Sequence, residues 1–283
     1  MNKGIITKTI GGFFFVADSN KEIHRCKIRG RIQNKVYPGD KVDFEDDMIE
    51  KVYNRDNLLH RPTIANVEQV VLVFSLSYPS FSRKLLDRFL VLIEAFDLDL
   101  FIVINKLDLF DEKKTNLPDL TDYEKAGYKI IYISAKKSEG LKKMFPLLKD
   151  KINVLTGPSG VGKSTLINSL IENAKMPTNE VSEKLKKGVH TTRHVELISL
   201  SHGGWLADTP GFTSLNLKKI KSEKLKFLFP EFRGFLAECK FNTCSHTHEP
   251  GCAVKKAVKK EKISKRRYES YKNLYNEIKE KEW

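Results

Sequence analysis

INVLTGPSGVGKSTLINSL, residues 152–170, runs from an apolar strand through a glycine-rich loop into a helix. Its centre, Gly157-Pro158-Ser159-Gly160-Val161-Gly162-Lys163-Ser164, has the spacing of a phosphate-binding loop in the strand, loop, helix setting that this spacing requires. The glycines let backbone N–H groups turn inward around phosphate oxygens, and the helix starting near Lys163 adds its positive N-terminal end. In that arrangement Lys163 reaches the β- and γ-phosphates, Ser164 coordinates Mg²⁺, and Thr165 follows in the same turn. A phosphate loop alone leaves the base open, and leaves a kinase or ATPase open beside a GTPase.

On either side of this stretch the texture is one of apolar strands alternating with amphipathic helices. VEQVVLVFSL (67–76), LLDRFLVLIEAF (85–96), LFIVINKLDLF (100–110) and YKIIYISAK (128–136) lead into it, and VELISL and GGWLAD follow. Alternation of this kind predicts an α/β domain with a parallel sheet covered by helices on both faces. Residues 1–60 read differently, as short alternating segments (FFFVAD, IHRCKIRGRI, KVDFED) broken by Gly11-Gly12, Gly30 and Pro38-Gly39-Asp40. That is a small β-rich module. After about residue 215 the chain reads as helical, with a cysteine and histidine cluster and a basic final helix. The expected division is 1–60, 61–215 and 216–283.

At 283 residues there is room for three small cores, and 40% hydrophobic with 30% charged residues is ordinary globular composition. Fifty Lys and Arg against thirty-six Asp and Glu give a net charge of +14, which points to a polyanionic partner, nucleic acid before an anionic membrane surface. The N-terminal MNKGIITKTIGGFFFV lacks the apolar core of a signal peptide, and no apolar run approaches the ~18 residues of a membrane span. We therefore expect a cytoplasmic chain with no membrane association.

The strand LFIVIN ends in Asn105-Lys106-Leu107-Asp108, which resembles the guanine-specificity motif of GTPases. A carboxylate at Asp108 can accept from both N1–H and the exocyclic amino group of guanine, a donor pair adenine does not offer. A buried polar reader left unpaired by the wrong base can discriminate by ~10⁴ or more. Ser134-Ala135-Lys136, after the next strand, is similar to the GTPase loop whose backbone caps guanine O6. Downstream, Asp208-Thr209-Pro210-Gly211 resembles the Walker B and switch II element, with Asp208 holding Mg²⁺ through water and the Gly211 N–H sensing the γ-phosphate. Between them Thr191-Thr192 precede a strand as a switch I threonine does; Thr192 is the favoured Mg²⁺ ligand and Thr191 the alternative. Phe212 stands where many GTPases carry the glutamine that orients the attacking water, so catalysis is organised differently, with His190 as the candidate polar group.

The window CKFNTCSHTHEPGC, residues 239–252, offers Cys239, Cys244, His246 and Cys252, four soft or borderline ligands that suit a closed, structural Zn²⁺ site; His248 competes with His246. In the first module, YPGDKVDF and the basic run His24 to Arg31 read as an OB barrel with a charged face. The final helix, ISKRRYESYKNLYNEIKE, places Tyr271, Leu274, Tyr275 and Ile278 on one face, and leaves Lys265, Arg266 and Arg267 to meet RNA phosphates.

Along the chain the order is base reader, guanine cap, phosphate loop, switch I, switch II. Ordinary GTPases begin with the phosphate loop. Such a circular permutation is plausible because these loops sit at the carboxyl edge of one parallel sheet. With HRPTIANVEQ (60–69), the HTT at 190–192 and both flanking modules, the permuted order closely resembles the small-ribosomal-subunit-dependent GTPase A family, RsgA/YjeQ, over essentially the full length. The resemblance implies an N-terminal OB-fold β-barrel, a circularly permuted P-loop GTPase domain and a C-terminal α-helical zinc-binding domain. It further implies GTP and GDP as ligands, Mg²⁺ and one Zn²⁺ as cofactors, and a monomer acting with the small ribosomal subunit and its rRNA in late maturation.

Overall fold

Alternation in the first module closes a barrel. The computed structural model describes residues 1–60, 63–110, 117–172, 195–208, 217 and 220–282. Strands β1 (Asn2–Ile10), β2 (Phe13–Ala17), β3 (Ile23–Ile28), β4 (Lys41–Glu45) and β5 (Met48–Val52) pair in the cyclic order β1-β2-β3-β5-β4-β1, with only the β3–β5 pairing parallel. This is the five-stranded OB-type barrel expected from the sequence. Every second side chain points inward, so Ile6, Val16, Cys26, Val42, Phe44 and Ile49 form its core. The isolated cysteine of the basic run is thus a core residue, while its basic neighbours face out.

A hairpin of β6 (Leu58–His60) and β7 (Thr63–Ala65) leads into β8 (Gln69–Ser75), whose residues are all buried, as a central strand covered on both faces must be. Val71 and Val73 enter the core on one side of the sheet; Val70, Leu72 and Phe74 enter the core on the other. With β9 (Asp99–Asn105), β10 (Lys129–Tyr132), β11 (Ile152–Thr156), β12 (Glu196–Ser199) and β13 (Trp205–Asp208), the order is β10-β9-β8-β11-β13-β12. All neighbours are parallel except β12 with β13. The carboxyl ends of β8, β9, β11 and β13 therefore open on one edge, where a doubly wound sheet places its ligand.

Among the described residues the barrel meets this sheet and its leading hairpin at several points, among them Lys21, which donates to Leu200 O at 2.6 Å, and Ile5, which packs on Leu59, Ile64 and Leu197. β1 meets β12 through the single register pair Lys8 and Glu196, whose side chains form an ion pair at 2.7 Å. The Pro38-Gly39-Asp40 turn presses on the hairpin: Gly39 has φ +93, and a Cβ there would lie 2.0 Å from the Ala65 carbonyl oxygen. Asn66 donates to Gly39 O at 2.8 Å and accepts from Asp56 N at 2.8 Å. Fully buried Asp40 accepts from Arg55 at 2.6 and 2.8 Å.

The C-terminal module consists of 3-10 segments Ser222–Leu228 and Pro230–Glu238 and helices Ala253–Lys259 and Lys265–Glu280. Ser264 caps the last helix by accepting from Arg267 N. Phe229, Phe232, Tyr271, Leu274 and Ile278 share a core with Val91, which belongs to the helix Arg83–Glu94 that follows β8. The apolar face read from the sequence does pack within the protein. The charged face departs from the reading. Arg267 is 1% exposed and faces no RNA: its guanidinium pairs with Asp87 and, at 2.7 Å, with Glu231. Arg266 lies 3.2 Å from Asp122, which also meets Arg83. Helix periodicity turns positions 267, 271, 274 and 278 to one side, and acidic partners from distant segments make that side hospitable to an arginine. Of the three cations assigned to phosphates, Lys265 is the one for which no carboxylate partner is seen among the described residues.

Candidate nucleotide site and metal centre

β11 delivers the loop expected to bind phosphate, and β9 delivers the expected base reader, Asn105 to Asp108, beside it. Gly157 has φ +140, and a Cβ there would lie 2.0 Å from Val73 O on β8; Gly162 has φ +92, and a Cβ there would lie 2.5 Å from Asn105 Nδ2. Both glycines are therefore required by close approach as well as by backbone conformation. Gly160, φ +79, lets the loop turn at its tip beside exposed Ser159. The helix Lys163–Glu172 begins where the loop ends, with Ser164 and Thr165 exposed in its first turn. Lys163 donates to Gly157 O at 2.8 Å and Pro158 O at 2.7 Å, curling over the loop, and burial holds its ammonium below the ordinary lysine range.

Asn105 is 2% exposed and ties two loops together: Nδ2 donates to Val161 O at 2.9 Å, and Oδ1 accepts from Ala135 N at 3.0 Å. Lys106, in the left-handed region at φ +66, donates to Gly160 O at 2.7 Å and to Tyr78 O. Asp108 accepts from Ser134 Oγ at 2.6 Å, and Ser134 Oγ accepts from Lys137 N at 3.1 Å. Lys136 points to solvent. Three motifs far apart in sequence thus converge on one edge, with the Asp108 carboxylate aimed by Ser134. Asp208 ends β13, whose register with β11 pairs Val154 with Ala207, so its backbone leaves the sheet next to the phosphate loop. His190, Thr191, Thr192, Thr209, Pro210, Gly211 and Phe212 lie outside the described residues.

Sequence reading missed two supports. Ser169 Oγ lies 2.7 Å from Ala135 O and 2.9 Å from Thr165 O, linking the helix after the phosphate loop to the guanine-cap loop. Nothing but its small polar side chain on a buried helix face could have signalled this. The segment after β8 is the second: Ser75 Oγ donates to Pro79 O at 2.7 Å, and Tyr78 O receives Lys106.

In the C-terminal module the ligand atoms of Cys239, Cys244, His246 and Cys252 all lie within 4.8 Å of one another. His246 turns Nδ1 to the cluster, 3.5 Å from Cys239 Sγ and 3.4 Å from Cys252 Sγ. Backbone N–H groups of Ala253 and Lys255 donate to the sulfurs of Cys239 and Cys252 at 3.3 and 3.4 Å. Burial pushes the thiols of Cys244 and Cys252 up and holds His246 down at about 4. A neutral imidazole and three thiols gathered about one point are the donor set of a tetrahedral metal ion. His248 is exposed and bonds Thr247, outside the cluster, which leaves His246 as the histidine of the set.

Residues 52–218 match the RsgA GTPase family and residues 3–53 the RsgA N-terminal domain. The chain belongs to the RsgA GTPase family. It is 43% identical to the small ribosomal subunit biogenesis GTPase RsgA of Alkaliphilus metalliredigens (strain QYMF), over 99% of this chain and 98% of that one. A relative of the same description from Clostridium botulinum (strain 657 / Type Ba4) is 44% identical, over 99% of this chain and all of that one. Among solved structures, YloQ, described as a circularly permuted GTPase, superposes with TM-score 0.84 at 37% identity, covering 99% of this chain and 96% of YloQ. YjeQ from Thermotoga maritima gives 0.82 at 37%, covering 98% of each. The permuted order and the barrel read from this sequence are thus those of the RsgA GTPase family.

Proposed function

We propose that this chain is a GTPase of small ribosomal subunit biogenesis, in which the order of motifs along the chain is permuted but the site is of ordinary GTPase kind. The observation that carries the nucleotide reading is Asn105 joining Val161 of the phosphate loop to Ala135 of the cap loop, with Ser134 orienting Asp108. A carboxylate so held meets N1–H and the 2-amino group of guanine with little further loss of freedom. Lys163 leaves its loop carbonyls for the β- and γ-phosphates, and its burial strengthens that contact. Ser164 and Asp208, with Thr192, are the residues assigned to Mg²⁺, which neutralises charge on the phosphates; the adjacency of β11 and β13 supports this. His190 is assigned to the attacking water.

Zn²⁺ is the ion assigned to Cys239, Cys244, His246 and Cys252; four protein ligands leave no open position, so its role is structural. Among the described residues no helix is long and apolar enough to cross a membrane. The partner assigned is the small subunit through its rRNA, met by a cytoplasmic monomer. The barrel's share of that contact is assigned first to Arg25 and Lys27, which lie 3.7 and 5.7 Å from the Phe13 ring, whereas Arg29 and Arg31 share the single Glu50 carboxylate and keep one net positive charge between them.

GTP turnover measured alone, with purified small subunits and with purified large subunits tests the assignment. Stimulation by the small subunit alone is expected, and its absence sinks the reading. Asp108→Asn is expected to exchange guanine preference for xanthine, a change of ~10³ or more in the ratio of affinities, read by competition between GTP and xanthosine triphosphate. An unchanged ratio removes Asp108 from the base-reading role.

A further inference from the structure

The metal-bearing module carries two large aromatic side chains that its own core does not use. Phe227 is 46% and Phe241 is 41% exposed, in a module whose other phenylalanines are mostly inside. Each is accompanied by lysines: Lys224 and Lys226 lie 6.0 and 5.5 Å from the Phe227 ring, and Lys240 lies 5.6 Å from the Phe241 ring. The two belong to one surface. Lys226 donates to Asn242 O at 3.3 Å and to Cys244 O at 3.2 Å, fastening the Phe227 segment to the loop that carries Phe241. That loop is itself held between Cys239 and Cys244, two members of the metal cluster.

We infer that Phe227 and Phe241, with Lys224 and Lys240, form a stacking surface for unpaired nucleotides of RNA. This rests on the proposed ribosomal function and deepens it by naming the surface and the chemistry it takes. Exposed rings beside ammonium groups fit the two parts of a single strand: a base face stacks on the ring while the phosphates flanking it meet the lysines. A loop fastened at its two ends by Cys239 and Cys244 holds Phe241 in place before the strand arrives, which lowers the ordering cost of binding. Duplex RNA keeps its bases stacked inside and offers nothing to the rings. A protein partner would need apolar contact only, and the net charge of +14 favours a polyanion.

The test uses the full, metal-loaded chain and a fluorescent single-stranded RNA of about twelve nucleotides, a length within the span such surfaces cover, compared with the same strand in duplex. Phe227→Leu and Phe241→Leu keep apolar bulk but lose the aromatic face; each is expected to weaken single-strand binding about tenfold, the change expected for loss of one stacked base. Phe227→Trp with Phe241→Trp is expected to hold or raise affinity. Basal GTP turnover and bound metal should stay unchanged in all of them. Wild-type affinity in the leucine variants, or loss in alanine variants that leucine restores fully, overturns stacking, the second outcome pointing to an apolar protein contact. Equal binding of duplex and single strand overturns it too. A wild-type chain that the small subunit fails to stimulate undermines the proposed function instead, whatever the oligonucleotide does.

Discussion

The barrel and the C-terminal module are attached to the nucleotide domain by different physics. The barrel leans mainly on backbone groups: a glycine turn against a hairpin, the Asn66 amide bridging Gly39 O and Asp56 N, and Lys21 donating to Leu200 O at 2.6 Å, with one exposed ion pair between β1 and β12 and Ile5 as its apolar contact. The C-terminal module is held by a shared apolar core and by charge removed from water, with Arg267 at 1% exposure between Asp87 and Glu231 and Ser270 completing the Asp87 carboxylate at 2.5 Å. Peripheral pairs, Arg233 with Glu94 at 2.6 Å and Arg88 with Glu277, surround it. A backbone joint fixes an angle with little energy, whereas a buried ion network demands that every partner be present. The C-terminal module follows the segment proposed as switch II in sequence, yet packs on the helix after β8, whose preceding loop receives Lys106 of the proposed base reader.

The largest effect expected is on the C-terminal module alone. Removing the metal with a chelator takes away a folding contribution that for structural zinc sites runs to about 10–16 kcal/mol. Limited proteolysis should then cut within 220–282 while the barrel and nucleotide domain persist and still bind GDP. Uniform unfolding of the whole chain would mean that the joints are not separable. Next comes Arg267→Ala, which strands Asp87 and Glu231 in a low-dielectric pocket and is expected to cost about 3–5 kcal/mol in urea denaturation. A loss under 1 kcal/mol would show that water reaches the pocket and that the apolar core carries the joint.

These contrasts track what the sequence could disclose. The phosphate loop, Asn105 to Asp108 and Ser134 to Lys136 were readable because each is a short string whose chemistry depends on its own spacing and on the strand before it. The four residues of the candidate metal site were readable as a cluster for the same reason, within fourteen residues. The barrel followed from period-two alternation and turn residues. Arg267 was misread because its partners stand 180 and 36 residues away, and a basic residue at the start of a lysine-rich helix carries no local sign of burial. Ser169 was silent because a serine inside a helix is unremarkable until the cap loop is folded onto it.

The barrel joint should respond more weakly. Asn66→Ala leaves Gly39 O and Asp56 N without their side-chain partners and is expected to cost about 1–3 kcal/mol, since one of the two bonds is buried. Lys8→Ala should cost less still, at most about 1 kcal/mol, because Glu196 is half exposed and solvent screens the pair. Both are best measured by urea denaturation, the Lys8 variant at low and high salt. If the small Lys8 effect vanishes at high salt, the ion pair is incidental and the turn at Gly39 sets the barrel's angle. A salt-independent loss above about 2 kcal/mol would reverse the ranking. It would assign the joint to β1 and β12, the strand that begins shortly after the segment proposed as switch I.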